Sequence, residues 1–236
     1  FFTFIFLKQN LFLTIALIFF SYILIAQTSS IRFNRLTIKQ GLSQSTINCI
    51  LQDENGFMWY GTQDGLNKYD GYEFTEYKHR LNKQNSLSHS FITSLHEDKQ
   101  GGVWVGTQNG GLNYKDKRTN NFKHVKLGAK LNNAHIRAIT EDEFGALWIG
   151  TNKFGVIRYD PFKDSISVYN VNNGLLSNKI SALLIHGKEI LVATEGKGLA
   201  KINLLTGSLI ETSNLNKRLN DPSIILSEGV EIIKIS

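Results

Sequence analysis

Residues 47–66 read Ile47-Asn48-Cys49-Ile50-Leu51-Gln52-Asp53-Glu54-Asn55-Gly56-Phe57-Met58-Trp59-Tyr60-Gly61-Thr62-Gln63-Asp64-Gly65-Leu66, and the phrase returns three more times. A second copy carries Ile92, Leu95, Asp98, Gly101 or Gly102, Trp104, Gly106-Thr107 and Gly111-Leu112. A third carries Ile136, Ile139, Asp142, Gly145, Trp148, Gly150-Thr151 and Gly155-Val156. A fourth, worn copy runs Ile180, Leu183, Gly187, Leu191, Ala193-Thr194 and Gly198-Leu199. The leading isoleucines are 45, 44 and 44 residues apart. A period of that length marks a stacked or propeller array.

Within one copy the apolar period is two, and turn residues divide it into four short runs. In the first copy the runs are Thr46–Gln52, Phe57–Thr62, Leu66–Asp70 and Tyr72–Lys78, broken at Asp53–Gly56, Gln63–Gly65 and Asp70-Gly71. Four antiparallel strands in such a length make one propeller blade, and no stretch keeps the 3.6-residue apolar period of helical repeats. The expected fold is an all-β propeller with about four blades present. The repeated residues then have packing roles. Trp59, Trp104 and Trp148 fill the wedge between neighbouring blades. Gly61, Gly106 and Gly150 stand where a Cβ would crowd the next blade. Thr62, Thr107 and Thr151 finish a strand edge, and the turn aspartates accept backbone N–H bonds. In the fourth copy Leu191 replaces Trp, Ala193 replaces Gly and His186 replaces Asp. In the second, Tyr114-Lys115 reverses the order of Lys68-Tyr69 and Arg158-Tyr159, which suggests a shifted or bulged third strand.

The ends differ from the repeats. Lys8, the apolar run Leu11–Ala26 and the polar Gln27-Thr28-Ser29-Ser30 read as an export signal over residues 1–26, cleaved near Ala26. The run is a little short for a comfortable membrane span. The chain opens on Phe1, so the sequence is expected to be a piece of a longer protein. The partial propeller occupies 27–236, with blades at about 44–80, 89–126, 133–172 and 177–213 and the start of a fifth copy at 221–236. Phe33–Ile38 followed by Gly41-Leu42 resembles Ile166–Val171 followed by Gly174-Leu175. Residues 31–40 therefore read as a closing strand that completes the last blade of the ring.

With 26 basic and 20 acidic residues the net charge is +6, and the basic residues read as scattered, which argues against a nucleic-acid partner in this region. The lone Cys49 excludes an internal disulfide and reads as a small core residue. His79 and His124 end strands 45 residues apart and read as a surface pair of neighbouring blades; His89, His96, His135 and His186 fall at non-equivalent positions. Asp53–Gly56 lacks the ligand spacing of a calcium loop, and Gly196-Lys197 is no phosphate loop. No catalytic motif, metal site or cofactor is expected.

Equivalent loops of a propeller share one face. Gln63-Asp64, Gln108-Asn109, Asn152-Lys153 and Glu195 with Lys197 are thus expected to form an arc of amides and charges around the channel mouth. The connectors at Ser43-Gln44, Ser88-His89, Asn132-Asn133 and Ser177-Asn178 join that face. Amides and hydroxyls suit sugar hydroxyls, which both donate and accept.

The phrase Ile-x-x-Ile-x-x-Asp-x-x-Gly-x-x-Trp-x-Gly-Thr-x-x-Gly-Leu-x-x-Tyr, preceded by Gly41-Leu42-Ser43, resembles the two-component regulator propeller repeat over essentially all of residues 31–236. The resemblance implies a periplasmic sensor with two seven-bladed propellers and a small β-sandwich, followed by a membrane helix and a histidine kinase. It implies oligosaccharide sensing, self-association through the full-length sensor, membrane attachment through a downstream segment, and no enzymatic activity in this stretch. The chain would form part of the first seven-bladed ring. An exported propeller enzyme, such as a polysaccharide lyase or glycoside hydrolase, and a ligand-free secreted scaffold remain the alternatives.

Overall fold

A computed structural model of the protein describes residues 34–119 and 121–213. The proposed export signal at 1–26 and fifth copy at 221–236 lie outside the described residues. The described residues from Leu36 onward fold as one unit, built from four sheets, each of four antiparallel strands in chain order.

Blade 1 comprises β1 (Ile47–Gln52), β2 (Met58–Thr62), β3 (Gly65–Tyr69) and β4 (Phe74–Tyr77). Blade 2 comprises β5 (Ile92–Glu97), β6 (Val103–Thr107), β7 (Leu112–Lys115) and β8 (Phe122–His124). Blade 3 comprises β9 (Ile136–Glu141), β10 (Leu147–Thr151), β11 (Val156–Asp160) and β12 (Ser165–Tyr169). Blade 4 comprises β13 (Ile180–His186), β14 (Glu189–Thr194), β15 (Gly198–Asn203) and β16 (Leu209–Ser213). The first strands β1, β5, β9 and β13 are neighbours in turn, so they form the inner edge.

Each strong copy locks its tryptophan in the same way. The indole N–H of Trp59, Trp104 and Trp148 donates to Asp53, Asp98 and Asp142 at 2.8, 3.1 and 2.9 Å. The other carboxylate oxygen of each aspartate accepts two N–H groups of its own turn, such as Asn55 and Phe57 on Asp53. One carboxylate thus ties turn to core, and its burial is tolerated because its lone pairs are used. A Cβ on Gly61, Gly106 or Gly150 would lie 2.7 Å from the Ile92, Ile136 or Ile180 methyl of the next blade, so the glycine in Trp-x-Gly-Thr is required by blade spacing. The Thr62, Thr107, Thr151 and Thr194 hydroxyls donate to the carbonyls of Gly65, Gly111, Gly155 and Gly198 at 2.8–2.9 Å, closing each β2–β3-type loop.

One expectation changes. The third strand of blade 2 is neither shifted nor bulged: Trp104 faces Tyr114 as Trp59 faces Lys68 and Trp148 faces Arg158. The reversed pair instead exchanges which side chain lies over the tryptophan and which crosses to the preceding blade. The recurrent irregularity sits in the first strand, where the register slips at Asn48, Thr93, Arg137 and Ser181. A bulge re-aims its side chain, and here the re-aimed groups stitch blades together. Asn48 donates to the Ile92 carbonyl at 2.8 Å, Thr93 to that of Ile136 at 2.5 Å, and Arg137 reaches Glu195 at 3.5 Å. On the opposite face the Glu54 N–H donates to the Glu97 carboxylate, and the Lys99 N–H to Glu141.

Of the expected closing strand at 31–40, residues 31–33 lie outside the described residues. Residues 34–37 are in no ladder, and Ile38–Gln40 form a 3₁₀ turn capped by Thr37 and ended by left-handed Gly41. The likeness to the end of the third repeat holds in detail, since Val171–Asn173 form the same turn between Asn170 and left-handed Gly174. A capping oxygen that competes with the ladder for backbone N–H groups ends the extended run early.

Candidate functional site

The β2–β3, β6–β7, β10–β11 and β14–β15 loops and the inter-blade connectors lie on one face, joined by backbone bonds from Gly65 to Ser90, Gln108 to Phe91, Asn152 to His135 and Glu195 to Lys179 at 2.8–3.0 Å. Gln63, Asp64, Asn109, Lys153, Glu195 and Lys197 are exposed there, while Gln108 and Asn152 are half-buried. Left-handed Gly111 and Gly155 let the loops approach their neighbours: a Cβ would lie 2.2 Å from the Asn132 carbonyl oxygen and 2.0 Å from that of Tyr169.

The eight residues share this face without converging on one pocket. Asp64 is held by Lys78 at 2.8 Å, whose ammonium pKa is raised by Asp64 and Glu76. Glu195 meets Arg137. Burial and Arg137 lower the His135 pKa. Of the eight, Lys153 borders a cavity of about 500 Å³, whose other walls include Leu127, Lys130, Phe154, Asn170 and Asn178. Lys130 and Asn170 come from connectors of differing lengths, which a search for equivalent positions passes over.

The inner ends of the connectors hold a polar bracket that the repeat pattern also concealed. Buried Asn67 accepts from the Ser43 N–H at 2.9 Å and donates to its hydroxyl at 2.8 Å; Asn113 and Ser88 repeat the arrangement. His79 and His124 are both exposed. Both bond the same connector, at the Leu87 carbonyl (2.7 Å) and the Ser86 carbonyl (2.8 Å). Among the described residues no three His, Cys, Asp or Glu side chains gather to hold a metal ion. Cys49 packs beside Gly61, and burial pushes its thiol up to about 12.

Three segments, residues 41–64, 86–109 and 130–153, match the two-component regulator propeller family, each spanning a connector, the inner strand and the Trp-x-Gly-Thr strand. These three segments of the chain are similar to the two-component regulator propeller repeat. Histidine kinase P4 of Formosa agariphila is 46% identical to this propeller chain over 66 residues, which are 27% of this chain and 5% of that protein. The extracellular domain of a putative hybrid two-component system of B. thetaiotaomicron superposes with a TM-score of 0.68 at 25% identity, covering 76% of this chain and 26% of that one. A second such domain from the same organism, from a putative one-component system, gives 0.64 at 27% identity over 76% and 28% of the two chains. The propeller repeats described here thus span a small part of each relative's length. Among the described residues no helix is long and apolar enough to cross a membrane.

Proposed function

We propose that this propeller segment is an extracytoplasmic ligand-sensing and interaction module of a two-component sensor, taking oligosaccharides on its loop face and signalling to a kinase in another part of a longer protein. The observation that carries this reading is the match of three repeats to the regulator family together with the likeness to extracellular sensor domains. The sugar chemistry is supported by the loop face, where amides of Gln63, Gln108, Asn109 and Asn152 alternate with the charges of Asp64, Lys153, Glu195 and Lys197. Attachment to the membrane and self-association belong, in this reading, to the longer protein.

Calorimetric screening of the chain against neutral and acidic oligosaccharides tests it. An oligosaccharide should bind, and Asn152→Ala with Lys153→Ala should weaken it about tenfold, the scale of one or two lost hydrogen bonds, one of them to a charge. Absence of any saccharide ligand would overturn the sugar reading.

A further inference from the structure

Blade 2 departs from its neighbours around its tryptophan. In blades 1 and 3 a tyrosine of the outer strand stacks on the indole: Tyr77 on Trp59 at 6.0 Å and Tyr169 on Trp148 at 5.5 Å. Those tyrosines lie opposite Leu66 and Val156. In blade 2 the residue bonded opposite Leu112 is Val125. The missing ring leaves a slot of about 560 Å³ between blades 2 and 3, bordered by Trp104, Val125, Tyr114 and Tyr159. Trp104 is accordingly 6% exposed, against 2% for Trp59 and 0% for Trp148.

Phe162, 75% exposed, lies at the mouth with Lys123 and Lys126. The mouth belongs to residues 115–130, which hold six of the 26 basic residues, Lys115, Lys117, Arg118, Lys123, Lys126 and Lys130, and one acidic residue, Asp116. Residues 115–130 therefore carry a local excess of +5, six basic against one acidic, and of these cations Lys123 and Lys126 border the slot. Lys117 is paired with Glu54 and Arg118 with Asp116. Lys123 and Lys126 are exposed and have no ion-pair or hydrogen-bond partner among the described residues. The carboxylates that line the slot are engaged: Asp98 accepts from Trp104, Gln100 and Gly102, and Asp164 from the Tyr159 hydroxyl at 3.3 Å. A second hollow shares Tyr114, Lys123, His124 and Lys126 on the other side of β8, so a chain extending from the slot would pass the same cations.

We propose that this slot is a second ligand site, taking one ring of an acidic oligosaccharide, its apolar C–H face against Trp104 and Tyr159 and its carboxylate or sulfate at Lys123 and Lys126. The volume falls in the range of small-ligand sites. Flat aromatic walls select a ring, and unpaired ammonium groups at the rim select negative charge. A membrane surface or an extended nucleic acid would engage the cations without entering the slot. The proposal shares its ligand class with the sensing reading above and differs from it in place.

The test titrates the full chain with trigalacturonate and with neutral galactotriose, following tryptophan fluorescence and heat. Trigalacturonate should bind more tightly than galactotriose, and Lys123→Gln with Lys126→Gln should cost it about tenfold, the scale of lost charge-assisted bonds, while leaving galactotriose unchanged. Val125→Tyr, which restores the ring present in the other blades, should abolish binding of the acid; circular dichroism checks that it folds, and the exposed lysine pair decides if it does not. Equal affinity for the two sugars, or binding of the acid that neither variant alters, would overturn the proposal. So would loss in Asn152→Ala/Lys153→Ala alone, which would place binding on the loop face. An equal response to phosphatidylglycerol vesicles that survives Val125→Tyr would assign the cations to a surface and overturn it too.

Discussion

The boundary between blades 1 and 2 and that between blades 2 and 3 are built on the same tryptophan and filled by opposite chemistry. At the first, Lys68 and Lys115 approach the Trp59 ring at 5.3 and 5.6 Å and Tyr77 stacks on it. At the second, Tyr114 and Tyr159 meet Trp104 at 4.5 and 6.4 Å, and Val125 leaves room beside them. The whole difference follows from two local changes in blade 2, the exchange of Tyr114 with Lys115 and the loss of the outer tyrosine. Exchange moves a cation from one face of the sheet to the other because side chains alternate along a strand. Lys115 is consequently buried at the first boundary, its ammonium donating to the Thr119 carbonyl at 2.8 Å and its pKa lowered by burial. The repeat thus fixes where the large ring goes and leaves its surroundings open to variation.

Truncating the tryptophans tests that contrast most severely. Trp59→Ala and Trp148→Ala should each cost ~3–5 kcal/mol through the cavity and the stranded aspartate, and Trp104→Ala should cost less because a slot already borders it. Urea unfolding followed by circular dichroism gives the order. Next in size, Gly61→Ala and Gly106→Ala should cost about 1–3 kcal/mol each at either boundary, because the added methyl meets a packed isoleucine of the next blade. Tolerance of alanine at both positions without loss of stability would deny that blade spacing sets the glycine. Lys68→Met should remove ~0.5–1 kcal/mol from the first boundary alone, measured against Lys39→Met as an exposed control.

The smallest effect expected is with pH. His96 faces Glu141 across the second boundary at 3.6 Å, too long for a hydrogen bond, and burial lowers its pKa below the usual 6.5 although Glu141 and Asp98 pull it upward. The unfolded chain therefore takes up this proton first as pH falls. Stability should decline as pH drops from about 7 to about 5, and His96→Gln should flatten that decline in thermal melts.

The inter-blade tryptophan, the spacing glycine, the loop-closing threonine and the turn aspartate were all legible in the sequence, because each sits at a fixed offset from the leading isoleucine. The indole bond to Asp53 was not read, since spacing alone does not say which side chains share a face. The first-strand bulge escaped notice because it leaves the period intact. The loop face was legible from strand order. The slot was not, because it depends on the residue opposite Leu112, and the turn between Lys115 and Phe122 is longer than its counterparts in blades 1 and 3.

The paired stitches at the bulges and turns have a mechanical consequence. Boundaries 1–2 and 2–3 are fastened at both rims, by Asn48 and Thr93 on the loop face and by Glu97 and Glu141 on the other. At boundary 3–4 the loop-face rim keeps the Arg137–Glu195 pair and the bond from the Gly155 N–H to the Asn178 carbonyl, while Ile185 stands in the place of the far-rim glutamate. The first three blades are thus fastened along two polar lines, whereas the fourth is held to the third by its loop-face bonds and by the apolar core in which Trp148 meets Ile180 and Ile190.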